Sequence, residues 1–90
     1  MTDESSNWIE EILKRAKEVA VMLNQGKTIK GGMELVSMLD QLIAHYADLN
    51  PAQQTNIKEM IIGLHQCQND HDFYSIADYL QFELPYILTH

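Results

Sequence analysis

The ninety-residue sequence predicts an all-α protein: four amphipathic helices packed as an antiparallel up-and-down bundle, the last of them kinked or ended at Pro85. Three observations carry this expectation. Apolar residues recur at three- and four-residue spacings in four segments of similar length. Glycine, proline, asparagine and aspartate punctuate those segments. The connections are short, and short connections between helices of similar length favour antiparallel neighbours.

The first helix is expected from about Asn7 to Asn24, with residues 1–6 disordered and Ser5, Ser6 or Asn7 as N-cap. Asn7 followed by Glu10 resembles a capping box, and Glu10–Lys14 and Glu11–Arg15 are acid-first i,i+4 pairs. Trp8, Ile12, Ala16, Val19 and Leu23 share one face, which Ile9, Leu13, Ala20 and Met22 widen; Gly26 stops the helix. The second helix starts between Thr28 and Gly32, with a turn or frayed start at Gly31-Gly32 and Ile29 already packed. Its seam is Leu35, Leu39, Leu42, Tyr46 and Leu49, broadened by Val36 and Ile43. Asn50-Pro51 ends it and opens the third helix, Asn as N-cap and Pro at the first helical position. Ile57, Ile61 and Leu64 face one way there, flanked by Met60 and Cys67. Gly63 either admits a neighbouring helix or weakens this one. After a loop over Gln68–His71, Asp72, or in the alternative Asp70, caps a fourth helix whose apolar face is Phe73, Ile76, Ala77, Leu80, Leu84 and Ile87. Pro85 withholds a backbone donor and crowds the carbonyl of Gln81.

Composition narrows the function classes. Thirteen acids against six Lys and Arg give a net charge of −7, and no Lys or Arg follows Lys58. Nucleic acids and anionic membrane surfaces are bound through bases that neutralise phosphates, so both are disfavoured as partners. An acidic mimic of nucleic acid would need a denser ordered array of charge than this chain carries. The polar, acidic start is unlike a secretory signal, and no apolar run approaches the roughly 20 residues of a membrane span. Cys67 is the only cysteine, so an internal disulfide is impossible; a reducing cytoplasm suits such a chain. With 46% hydrophobic residues there are apolar side chains to spare for self-association.

No motif carries chemistry. Asp70-His71-Asp72 is the most metal-like cluster, with His45 or His90 able to join it in space, but three adjacent loop residues do not make a metal's fixed geometry, and a capping loop explains them. His65 and Cys67 stand two apart on a helix and point away from each other, so they do not form a nucleophile–base pair. Neither Glu10-Glu11 nor Asp78 with Glu83 has an apolar setting to separate two carboxyl pKa values, and no Glu-x-x-His of a di-iron bundle occurs. Gly26-Lys27-Thr28 lacks the earlier glycine and the strand of a phosphate-binding loop. No cofactor is expected.

The fourth helix is the distinctive element. Tyr74, Tyr79, Phe82 and Tyr86 decorate it beyond its inward stripe, among Asp78 and Glu83. Tyrosines are amphipathic and common on recognition surfaces.

Leu23-Asn24-Gln25-Gly26-Lys27 leading into Gly32-Met33-Glu34-Leu35-Val36, together with Ile76-Ala77-Asp78-Tyr79-Leu80-Gln81-Phe82-Glu83-Leu84-Pro85, resemble small uncharacterised helical-bundle proteins of Gram-positive bacteria, in which a proline leaving the bundle follows an acidic, aromatic stretch. The four-helix layout is similar to that of small flagellar export chaperones. The resemblance implies a bundle that binds protein and carries over no functional residue.

The function expected is therefore a non-enzymatic protein–protein interaction module, adaptor, chaperone-like or regulatory. It would bind another protein or a second copy of itself through Tyr79, Phe82, Glu83 and Tyr86. The alternative is a small metal- or ligand-binding bundle using His45, His71 or His90 with carboxylates.

Overall fold

A computed structural model describes residues 4–90, with side chains from Trp8 onward. Five helices, α1 (Glu4–Asn24), α2 (Thr28–Ala44), α3 (Pro51–Asn69), α4 (Phe73–Asp78) and α5 (Leu84–Thr89), account for most of it. A 3-10 turn, Tyr46–Asp48, lies between α2 and α3, and a π turn, Tyr79–Glu83, joins α4 to α5 without a break. Residues 73–89 thus form one C-terminal rod, and the molecule is all-helical with four rods among the described residues. None of these helices is long and apolar enough to cross a membrane. The described part of α1 starts at Glu4, ahead of the expected Asn7, so Ser5, Ser6 and Asn7 lie within the helix. The disorder expected over residues 1–6 touches residues 1–3, which lie outside the described residues.

Helix ends are set by local chemistry. Gly26 takes φ +81°, and the amide of Lys27 donates to the carbonyl of Met22 at 2.9 Å, that of Gly26 to Leu23 at 3.1 Å. These are the two bonds of a Schellman cap on α1. The same pair closes α3, where Asp72 donates to Cys67 at 2.8 Å and His71 to Gln68 at 3.2 Å. Gln68 and Asn69, expected in the loop, are therefore helical. Here the left-handed residue is His71, φ 55°, not glycine. A Cβ in that conformation is strained, by about 1 kcal/mol. His71→Gly is therefore expected to raise the thermal midpoint by roughly 4 °C in a chain of this size, read by circular dichroism; an unchanged or lower midpoint would contradict the strain. At the start of α3, Asn50 accepts from the Gln53 amide at 2.8 Å while the Gln53 side chain accepts from the Asn50 amide at 3.1 Å, with Pro51 next. Asp72 caps α4 through the Ser75 amide at 3.2 Å and the Ser75 hydroxyl at 2.6 Å.

α1 is the central element: α2 packs on one side of it and the C-terminal rod on the other, while α3 packs against the rod. Trp8, Ile12, Ala16, Val19 and Leu23 of α1 meet Leu35, Met38 and Leu42 of α2, Ile57, Met60 and Leu64 of α3, and Ile76, Leu80 and Leu84 of the rod in one continuous core. Arg15 pins α1 to α2, donating to Gln41 and to Ser37 at 2.8 Å each and lying 3.6 Å from Glu34. It thus reaches across the helix pair, where the spacing suggested Glu11 as its partner.

Three expectations are corrected. Gly31 is not a frayed start. It is buried inside α2, and a Cβ there would meet Leu23 Cδ2 at 2.8 Å, so the glycine lets α2 approach the end of α1. The inward stripe of α2 is Gly31, Leu35, Met38 and Leu42, while Ile29 is 82% exposed and Val36 and Ile43 are more than half exposed. α2 ends at Ala44, and the seam continues to Leu49 through the 3-10 turn, which Tyr46 and Gln54 clamp to α3 by hydroxyl-to-carbonyl (3.1 Å) and amide-to-carbonyl (3.0 Å) bonds.

Nor does the last helix end at Pro85. Proline has no N–H to give, and just before it the ladder widens, Leu84 donating to the carbonyl of Tyr79 five residues back. The burial pattern favours that widening. Ile76, Leu80, Leu84 and Leu88 are all buried at strict four-residue spacing. In an unbroken α-helix each such step drifts about 40°, roughly 120° over the series; a π turn absorbs part of the drift and keeps all four facing inward.

Candidate protein-binding surface

Burial of the 76/80/84/88 series fixes what the rod shows to solvent. Tyr74, Asp78, Phe82 and Tyr86 form the parallel four-residue series on its outer side. Phe82 is 68% and Tyr86 62% exposed, and Tyr74 is exposed as well. Tyr79 is half buried against the core. Its hydroxyl lies over Gly63 of α3, where a Cβ would come within 2.6 Å of it. Gly63 thus admits the tip of a tyrosine from the rod rather than a whole helix.

Phe82 stands as a ridge between two shallow depressions. Toward α1 the floor is Leu13, Leu80 and Pro85 and the lip carries Lys14 and Lys17. Toward α3, Tyr79, Glu83 and Tyr86 surround a depression that Glu59 and Asn56 close on the far side, and Asp78 and Ser75 continue it along the rod. The lips are therefore basic on one side of Phe82 and acidic on the other. Tyr86 is held by stacking on His90, ring centroids 4.3 Å apart, and His90 Nδ1 lies 3.0 Å from the Tyr86 carbonyl.

Of the residues expected to form the site, Tyr79, Glu83 and Tyr86 share one depression, and Phe82 borders it. Lys14, Lys17 and Leu13 escaped the sequence reading, because nothing in α1 alone says which helix lies beside it. The surface has the chemistry to recognise a segment with an apolar anchor between charged flanks. Aromatic side chains supply large contact area with little conformational freedom to lose.

The other singled-out residues occupy structural positions. Asp72 is engaged by Ser75, whose hydroxyl and amide hold its carboxyl below the ordinary carboxylate value. That cap contributes stability above the ordinary carboxyl range, and loses it as pH falls through the lowered value. His71 serves the α3 cap, its ring 6.2 Å from that of Phe73. His45 stacks on the buried Trp8 at 4.5 Å, and its Nδ1 lies 3.2 Å from Asp48. Cys67 is half buried; burial first, then the carboxylates of Asp72 and Asp70, push its thiol above the ordinary value, which disfavours the nucleophilic thiolate. Among the described residues no three His, Cys, Asp or Glu side chains converge as ligands of one metal ion. Compared with known proteins, the chain matches no family model, no curated protein and no solved structure.

Proposed function

We propose that this chain is a non-enzymatic protein-interaction module whose partner docks astride Phe82 on the C-terminal rod. The observation that carries the reading is the display of Phe82 and Tyr86, 68% and 62% exposed, on a helix whose opposite side is fully used in the core. Leaving large aromatics in water forgoes stabilisation that a folded domain could use, about 2 kcal/mol for a side chain of this size. Between a lip bearing Lys14 and Lys17 and a lip bearing Asp78, Glu83 and Glu59, they make a surface that can position as well as hold a peptide or helix. An antiparallel up-and-down bundle belongs to the same reading: α1 between α2 and the rod, with short connections, supports it. So does a reducing, cytoplasmic setting for a chain with the single thiol Cys67.

The test is capture from native lysate with wild-type protein and with the Phe82→Ala, Tyr86→Ala double variant. Both side chains lie outside the core, so helicity and melting midpoint are expected to stay within the small range of surface substitutions. Recovery of the captured protein should fall at least about tenfold, since aromatic anchors dominate such interfaces. Equal recovery by both proteins would reject this surface.

A further inference from the structure

A second apolar surface lies on α2, turned away from the core. Ile29, Met33, Val36 and Ile43 are each more than half exposed and recur at four-, three- and seven-residue intervals, with Asp40 completing the series. That spacing places all five on one face of a helix. From Ile43 the patch continues over a depression lined by Tyr46 and by Lys58, Ile61 and Ile62 of α3. Contiguous exposed apolar surface of this kind marks an interaction site in a folded protein.

The charges on and beside this face say what covers it. Lys30 flanks this face in the first turn of α2 and Asp40 lies on it near the end, with Lys58 of α3 beside the depression beyond Ile43. No acid lies in the first turn and no base in the last, so the charges run against the helix dipole, which favours acids at the start and bases at the end. An antiparallel copy of the same helix repairs both mismatches at once. Lys30 and Asp40 are ten residues apart, about 15 Å at the α-helical rise, symmetric about residue 35. A two-fold axis through that midpoint sets each Lys30 beside the other copy's Asp40. The same axis interleaves Met33 with the other copy's Val36, and seats Ile29 between its Asp40 and Ile43. Parallel pairing would instead set like charges side by side.

We propose that a second copy of this chain docks on the outer face of α2, the two α2 helices antiparallel about a two-fold axis near residue 35. The interface is isologous, so every contact occurs twice. It is separate from the surface around Phe82, and a dimer presents two copies of that surface.

Sedimentation equilibrium of the full chain over a range of concentrations tests this, with circular dichroism as the check on folding. Wild-type protein is expected to form dimers and no higher species. Met33→Glu with Val36→Glu, both at exposed positions, should leave the helical spectrum intact and weaken dimerisation at least about 100-fold by placing four carboxylates at the centre. Lys30→Glu alone, or Asp40→Lys alone, should weaken it about tenfold, because each turns two attractive pairs repulsive. The combined K30E/D40K variant should return to within about threefold of wild type. Phe82→Ala should leave dimerisation unchanged. A wild-type chain that stays monomeric at all concentrations overturns the proposal, as does a dimer indifferent to the Met33/Val36 change. Failure of the K30E/D40K combination to rescue overturns the antiparallel arrangement.

Discussion

Replacing Ile12 with alanine is expected to remove about 3–4 kcal/mol of folding stability. Ile12 has no solvent exposure and sits on α1, the helix against which both α2 and the C-terminal rod pack. Loss of three side-chain carbons there opens a cavity between elements that cannot all collapse toward it. The penalty therefore combines lost transfer energy with a void. A chain of this length has a total stability of about 5–13 kcal/mol, so the variant should retain a small margin and melt roughly 15 °C lower. Urea unfolding followed by circular dichroism is the measurement. The expected signature is a lower midpoint at unchanged slope, since the surface exposed on unfolding is nearly the same. A loss under about 1 kcal/mol would mean that α1 is not the hub of the core.

Gly63→Val is expected to cost about 2 kcal/mol, in the range of overpacked cores. A Cβ at residue 63 would lie 2.6 Å from the Tyr79 hydroxyl oxygen and 3.0 Å from Cζ, and valine adds two methyl groups to that Cβ. The ring of Tyr79 is itself packed against the core, so yielding to the new side chain costs it part of that packing. Alanine separates the contributions. On an exposed helix, glycine to alanine would gain about 1 kcal/mol, and here the displaced tyrosine offsets that gain. In a Tyr79→Phe background, which lacks the oxygen nearest to the new Cβ, Gly63→Ala should be more favourable than in wild type. The coupling between the two sites in a double-mutant cycle reads this directly. Additive effects would show that Tyr79 does not define the space at Gly63.

Where one local interaction decides, the sequence was legible. Gly26 as the stop of α1, Asn50 as the N-cap of α3 and Asp72 as that of α4 need only nearby partners, and each stands where the pattern put it; the reciprocal Gln53 bond to Asn50 was not read. The inward face of α1 was legible too, because its opposite face is charged. α2 was not: Gly31, Leu35, Met38 and Leu42 form one helical stripe, and Ile29, Met33, Val36 and Ile43 another. Periodicity gives the spacing of a stripe, but only the packing of neighbouring helices says which of two points inward. At Pro85 one of the two expected outcomes, an end to the helix, does not occur. A proline reads locally as a break, whereas the four-residue series from Ile76 to Leu88 spans three turns and requires the ladder to continue. At the candidate surface, Phe82 and Tyr86 were legible as aromatics left over from the inward stripe. The half-burial of Tyr79 and the Lys14–Lys17 lip depended on which helices lie beside the rod, and no residue in the rod encodes that alone.

The π turn at Tyr79–Glu83 also has a genetic meaning. Such a turn is an α-helix carrying one residue more than its length requires. A single codon lost within it would restore ordinary α-helical geometry while α4 and α5 kept their own registers. A codon lost anywhere else in the rod would rotate everything beyond it by about 100° and turn its buried leucines outward. The segment that bears Phe82 is thus the one stretch of the rod where the reading frame of helical positions can change length and the core remain in phase.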